Sequence, residues 1–331
     1  MTRRSLLLGL LGLIGCAPRL HPPGAAIAEP SFELDHLRMA DGARLPLWRW
    51  EPAGKPIAHL LAIHGMNDYG RAFEAPGATL AAKGIGVTAY DQRGFGRAPK
   101  RGLWAGTEAM AADLTAAARL LRARDPGLPL YLLGESMGGA VALAALASAD
   151  PPPVEGAILS APGVWGRATM GVGPRALLWI TSHLMPWAEL SGRELGRMPS
   201  DNIEMLRALA RDPHIIKETR VETVHGLVDL MDAALAGASR VTAPLLVLYG
   251  EKDQIIPPEA LDRLLAALPA KPLRQRFALY ENGWHMLMRD LQAQTVLDDI
   301  AAWAANPQAP LPSNAEARGR PRLAQVGGAA R

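Results

Sequence analysis

The stretch "YLLGESMGGAVALAAL", residues 131–146, decides how the rest of the chain is read. A short apolar run meets Gly-Glu-Ser-Met-Gly-Gly, and an Ala- and Leu-rich run follows at once. That is the order strand, tight turn, helix. G-x-S-x-G in this setting is the nucleophile-elbow pattern, in which a serine sits on a sharp, strained turn and small residues on either side make room for it. Gly134 and Gly138 hold the small positions and Gly139 lies beyond. Ser136 is therefore expected above the C-terminal edge of a sheet, with the N-terminus of its helix favouring negative charge nearby. Alone, the pentapeptide also fits a purely structural glycine turn, so the decision rests on residues elsewhere.

Working outward, "FELDHLRM" and "RLPLWRW" flank the turn signal Ala40-Asp41-Gly42-Ala43 and read as an antiparallel hairpin. Short apolar runs follow: "AHLLAI", "GVTAY", "LPLYLL", "GAILS", "PLLVLYG" and "RQRFALY". Helix-like segments such as "AMAADLTAAARLLRAR" and "PPEALDRLLAALP" separate several of them. This alternation predicts an α/β protein whose mostly parallel, eight-stranded sheet carries helices on both faces. Residues 163–240 break the rhythm. They show helical stretches, no clear strand, and Trp165, Trp179 and Trp187, which reads as an inserted helical cap. The core is then expected in two parts, 32–162 and 241–305. The tail, 306–331, has little to bury and reads as disordered.

With 331 residues, 49% of them hydrophobic and 20% charged, the chain can bury one sizeable core. Its formal charge of +3 is concentrated at the ends. Arg3 and Arg4 contribute +2 and the segment after Asn306 +3, leaving −2 for the body between them. The body carries no basic footprint for nucleic acid. At the start, Arg3-Arg4 precede the apolar run "LLLGLLGLIG" and Cys16, the one cysteine. Ten such residues are too few to cross a bilayer, which needs about 20. Residues 1–15 read as an export signal and 16–31 as a linker. Leu13-Ile14-Gly15-Cys16 resembles a bacterial lipobox, which implies lipidation at Cys16 and anchoring in the cell envelope. An ordinary signal peptide with an incidental cysteine is the alternative. "TRRSLLL" is also similar to a twin-arginine signal, and Ala17 after the cysteine points to the periplasmic face of the outer membrane in a two-membraned bacterium.

A serine alcohol needs a neighbouring base, itself oriented by a third group, and in this fold the chain order is Ser, acid, His. After "PLLVLYG" comes Glu251-Lys252-Asp253, and after "RFALYENGW" comes His285. Asp253 is the expected partner of the imidazole Nδ1 of His285, turning Nε2 toward Ser136. Glu251 is the main rival acid, and Asp91 belongs to an earlier strand end. His183, His214 and His225 fall in the proposed cap with no strand before them. Two backbone N–H groups should face the developing oxyanion. Met137, after the nucleophile, supplies one; Met66, after His64-Gly65 in the loop following "HLLAI", supplies the other, with His64 bracing that loop. No histidine pair at metal spacing, no cysteine cluster and no phosphate loop is present, and "GIGVTA" at Gly84 precedes its strand. No metal or cofactor is expected.

Together "IHGMNDYGRAF", "YDQRGFGRA", "LGESMGGAVAL", "VLYGEKDQIIPP" and "ENGWHMLMRD" resemble the α/β-hydrolase superfamily. Within it they are similar to the monoacylglycerol lipase and lysophospholipase group, the serine aminopeptidase S33-like hydrolases. The resemblance implies an α/β-hydrolase fold, a Ser136, Asp253, His285 triad, oxyanion donors at Met66 and Met137, and a cap over an acyl pocket. It further implies hydrolysis of single-chain lipid esters through an acyl-enzyme. The group often has a small residue at the position of Met66 and His at that of Glu135; both departures leave backbone donors intact. A broad carboxylesterase and an S33-type peptidase are alternatives within the class. A catalytically silent envelope lipoprotein that binds lipid or protein is the alternative outside it, and the presence of every triad position argues against it.

Overall fold

The computed structural model describes residues 18–192, 196–269 and 275–329. The signal and lipidation site expected at residues 1–16 lie outside the described residues. In chain order the strands are β1 (Ser31–Phe32), β2 (His36–Arg38), β3 (Arg44–Trp50), β4 (Ala58–Ile63), β5 (Ile85–Tyr90), β6 (Leu130–Glu135), β7 (Gly156–Ser160), β8 (Glu189–Ser191), β9 (Glu218–Arg220), β10 (Leu245–Gly250) and β11 (Gln275–Tyr280). The helices are α1 (Glu74–Ala82), α2 (Thr107–Arg124), α3 (Met137–Leu146), α4 (Val172–Leu184), α5 (Ile203–Arg211), α6 (Val221–Gly237), α7 (Pro258–Ala267), α8 (Ala293–Ala305) and α9 (Ala315–Ala329).

The main sheet runs β1-β2-β3-β5-β4-β6-β7-β10-β11. From β5 to β11 its strands pair in parallel, while β3 joins β5 antiparallel. It has nine strands instead of the expected eight, because "FELDHLRM" does not run straight. The N–H of Glu33 donates to the carbonyl of His36 at 2.9 Å, and Ser31 and Phe32 fold back to pair with Arg38 and Leu37.

Strand side chains alternate between two cores, as the period of two requires. Leu61, Ile63, Leu132 and Val247 face α2, α3, α6 and α7. Leu60, Ala62, Leu133 and Leu246 face α1 and α8. Burial on both faces explains why the central strands read as continuous apolar runs.

The insertion divides into two parts. Residues 163–220 hold α4, α5 and the two-stranded β8–β9 ribbon, where the sequence showed no clear strand. Helix α4 buries only Ser182, and α5 buries no residue. Helix α6, by contrast, places Leu230 and Ala234 in the same core as Ala140 and Leu143 of α3. It is a core helix, because β7 and β10 are parallel neighbours and their crossover must cover the sheet between them.

The tail corrects a second expectation. Instead of disorder, α9 packs along the edge strand β11. Gly319 approaches so closely that a Cβ there would lie 2.7 Å from Phe277 Cδ1. Arg276 of β11 donates from Nε to Glu316 Oε1 at 2.8 Å, and Arg322 donates from Nη2 to Asp262 Oδ2 of α7 at 2.9 Å. The helix thus covers an otherwise unpaired strand edge. Among the described residues no helix is long and apolar enough to cross a membrane.

Candidate active site

Ser136 stands between β6 and α3 with φ 53° and ψ −116°, outside the regions ordinary residues favour. Its neighbours impose that conformation. A Cβ on Gly138 would fall 2.0 Å from the carbonyl oxygen of Ile63, and one on Gly134 would fall 2.6 Å from that of Gly138. Only glycine lets the turn lie against β4 and its own helix. The Ser136 N–H donates to Ser160 O at 2.9 Å, and Ser136 O accepts the N–H of Gly163 at 2.8 Å. Ser136 is thereby fixed from the sheet side and from the loop after β7.

The structure brings the three predicted side chains together. His285 Nε2 lies 2.9 Å from Ser136 Oγ, and its Nδ1 lies 2.9 Å from Asp253 Oδ2. The other oxygen, Asp253 Oδ1, accepts the N–H groups of Ile255 at 2.7 Å and Ile256 at 3.0 Å. The carboxylate therefore cannot turn away from the ring. With Nδ1–H donating to Asp253, Nε2 is left to accept the serine proton. Glu251 is exposed, its N–H bonded to Tyr280 O, and takes no part. Asp91 accepts from Trp48 Nε1 and from the N–H groups of Gly70 and Arg97, a structural assignment. His225 pairs with Asp229, His183 stacks on Trp179, and His214 meets the edge of Tyr69.

The loop carrying Met66 lies directly against the nucleophile. A Cβ on Gly65 would sit 3.4 Å from Ser136 Cβ. His64 Nε2 accepts the N–H of Gln92 at 3.0 Å, so Nδ1 carries the proton and donates to Gly65 O at 2.8 Å. Burial lowers the ring from the usual histidine range, which favours that neutral tautomer. Met137 opens α3, so its N–H is among the first amides of the helix, which have no carbonyl one turn back. Among the described residues neither the Met66 nor the Met137 N–H finds an acceptor in the protein.

Several members of the site carried no legible signal in the sequence, and Glu135, noted there as a departure, had no role assigned. Arg289, Glu135 and Asp68 form a buried ion cluster beside Ser136. Gly163, whose Cβ would lie 3.3 Å from the Met137 nitrogen, backs the elbow. The insertion bonds to all three catalytic loops. Asn67 Nδ2 donates to Thr219 Oγ1 at 2.7 Å, the Met286 N–H to Pro199 O at 2.9 Å, and the Met198 N–H to Gln254 Oε1 at 2.9 Å. A groove of about 1150 Å³ opens between α1, α5 and α8, with Met205, Leu209, Met288 and Arg289 in its walls. Ser136, Asp253 and His285 do not line it, so it lies beside the reacting atoms and not over them. Among the described residues no cluster of His, Cys, Asp and Glu is arranged to hold a metal ion.

A serine in hydrogen-bond reach of a histidine that a carboxylate orients, on the elbow of an α/β-hydrolase sheet, defines a serine hydrolase. The profile of the family described as serine aminopeptidase, S33, matches residues 54–292, and the chain belongs to that family. It is 26% identical over 274 residues to the monoacylglycerol lipase of Mycolicibacterium smegmatis, covering 79% of this chain and 93% of that one. It is 27% identical over 285 residues to the monoglyceride lipase of Rattus norvegicus, covering 84% and 92%. A solved structure of a soluble variant of monoglyceride lipase from Saccharomyces cerevisiae, in complex with a substrate analogue, matches with a TM-score of 0.69. It is 19% identical, over 88% of this chain and 99% of that one. At that identity the likeness speaks to the fold alone.

Proposed function

We propose that this chain hydrolyses carboxylic esters of single-chain lipids, of the monoacylglycerol or lysophospholipid type. One observation carries the reading above all: a single imidazole lies 2.9 Å from Ser136 Oγ and 2.9 Å from Asp253 Oδ2. Ser136 Oγ attacks the acyl carbonyl as its proton passes to His285 Nε2, and Asp253 stabilises the imidazolium that forms. The oxyanion is received by the N–H groups of Met66 and Met137. Collapse breaks the C–O bond, the imidazolium protonates the departing alcohol, and the acyl group stays on Ser136. Water, deprotonated by His285, then attacks the acyl-enzyme; the acyl C–O bond to Ser136 breaks, the imidazolium returns its proton to Ser136 Oγ, and the fatty acid leaves.

Two features favour a lipid ester over the peptide that the family's description suggests. Helix α4 exposes Leu177, Trp179, Ile180 and Leu184, an apolar face suited to acyl chains. The carboxylates beside the elbow, Glu135 and Asp68, are both held by Arg289 and are not offered to a substrate ammonium group. The monoacylglycerol and monoglyceride lipase relatives agree in substrate class.

A fluorophosphonate probe together with a panel of monoacylglycerols, p-nitrophenyl esters and aminoacyl amides tests the reading. Labelling at Ser136 and turnover of monoacylglycerols ahead of amides support it. Esterase activity that survives Ser136→Ala, or turnover of amides alone, removes it. We further propose that the chain is an exported lipoprotein acylated at Cys16, on the strength of Leu13-Ile14-Gly15-Cys16 behind a basic, apolar start. Stable anchoring takes more than one acyl chain, as a diacylated and N-acylated cysteine provides. Mass spectrometry of the mature N-terminus decides it, and an unmodified cysteine ends the claim.

A further inference from the structure

Arg289 lies four residues beyond His285 with its side chain 8% exposed, and its two terminal nitrogens reach two different loops. Nη1 donates to Asp68 Oδ2 at 2.8 Å, and Nη2 donates to Glu135 Oε2 at 2.7 Å. Glu135 immediately precedes the nucleophile. Asp68 closes the turn that carries Met66: its N–H donates to Gly65 O at 3.3 Å, and its Oδ1 accepts the Tyr69 N–H at 2.8 Å. Arg289 itself is tied into the histidine loop by its own N–H, which donates to Met286 O at 2.8 Å. We propose that Arg289 is a positioning residue for the ester hydrolysis proposed above, on which this inference rests. Its guanidinium fork sets the nucleophile elbow, the oxyanion loop and the histidine loop in one fixed register.

Stability alone does not account for such a cluster. Taking ions out of water costs so much that a buried ion set is often matched by apolar residues of the same shape. What a planar guanidinium adds is geometry, since two N–H directions at a fixed angle set two distances together. Burial alone would lower the Arg289 guanidinium, but Glu135 and Asp68 raise it, so it stays charged. Burial pushes the Glu135 carboxyl up, and Arg289 opposes that shift. Glu135 Oε1 is buried without a hydrogen-bond partner, so that carboxylate depends on Arg289 for compensation. Displacements near 1 Å at a reacting centre cost rates about a hundredfold, so a fork that locks three loops is placed where its effect is large.

The test uses the full chain and two variants. Arg289→Met removes the fork. The set Arg289→Met, Glu135→Gln, Asp68→Asn removes every charge while keeping shape. Wild type and Ser136→Ala are first compared on monoacylglycerol, so a failure of the function reading shows itself separately. The rate of fluorophosphonate capture at Ser136 supplies a readout that needs no substrate. With the fork in its positioning role, Arg289→Met lowers kcat and capture at least tenfold with KM within about threefold. The neutral set recovers Tm while both rates stay low. Rates within threefold of wild type in either variant overturn the proposal, as does recovery of kcat together with Tm in the neutral set. If Arg289→Met does not fold, the neutral set decides alone by the same criterion.

Discussion

Around Ser136, side chains that proteins normally leave in water are buried and paired; across α4 and α5, side chains that proteins normally bury are left in water. Arg289, Glu135 and Asp68 are each below a tenth exposed, whereas Leu177 and Trp179 of α4 are 62% and 61% exposed. The elbow adds backbone strain at a residue with positive φ. Strain and buried charge persist only where surrounding packing over-determines them, and the ends of parallel strands supply that packing. The insertion has no such duty. It touches the chemistry through a few bonds, from Thr219 of β9 and from Met198 and Pro199, to the loops of Asn67, Gln254 and Met286. Under the proposed function, reaction geometry and substrate selection fall to parts of the molecule with opposite packing.

The sharpest way to break that contrast is to alter the rigid side. Gly138→Ala places a methyl group 2.0 Å from the Ile63 carbonyl oxygen, a backbone atom that has no rotamer to escape into. The cost is expected to reach about 3 kcal/mol, the upper part of the overpacking range, read from the urea midpoint. Activity falls with it, because β4 and the elbow must separate. A variant with unchanged midpoint and unchanged kcat would mean that the elbow is less constrained than its contacts indicate.

How much of this was legible depends on where the cause lies. Ser136, Asp253 and His285 were readable because each follows an apolar run that is a strand, and because chain order in this fold limits the choice. The strands themselves were readable because burial on both faces makes them continuous apolar runs. Helix α9 was not. Its segment is polar with Pro321 inside it, and its order comes from Gly319 against Phe277 and Glu316 against Arg276, partners some forty residues away. The role of α6 was hidden for the same reason, since only the pairing of β7 with β10 makes it a crossover helix. Arg289 looked like any charged residue after a histidine until the fold brought Asp68 and Glu135 to it.

The tail offers a smaller perturbation of the same kind. Arg276→Met leaves Glu316 without the guanidinium that holds both its oxygens. A lost hydrogen bond to a charged group costs about 1.5–3 kcal/mol, and the lower end applies here because Glu316 is partly exposed. The urea midpoint should fall by the corresponding amount, and limited proteolysis should newly cut after Asn306. Intact α9 in that variant would show that packing on Phe277 suffices.

A charge at the hairpin tip gives a pH-resolved version. Burial raises the Asp41 carboxyl, but the Arg93 fork and the N–H groups of Ala43 and Gly24 outweigh it and hold it at about 2. The folded value lies below the unfolded one, so the contribution is complete above about pH 4 and is lost as pH falls through about 2. Asp41→Asn should therefore be less stable than wild type at pH 7, with the gap in Tm narrowing below pH 4. A gap that is constant with pH would assign the effect to packing.

The insertion should answer in the opposite way. Leu177→Gln and Ile180→Gln sit on the exposed face of α4, 62% and 46% exposed, and leave helix propensity nearly unchanged. Stability should move by no more than about 0.5 kcal/mol, as for surface sites in general. KM for a long-chain monoacylglycerol should rise several-fold, while turnover of p-nitrophenyl acetate, which has no long acyl chain, stays as in wild type. If both substrates respond equally, α4 acts on the catalytic loops through its bonded neighbours and not on the acyl chain. Selection and geometry would then share one mechanical unit despite their different packing.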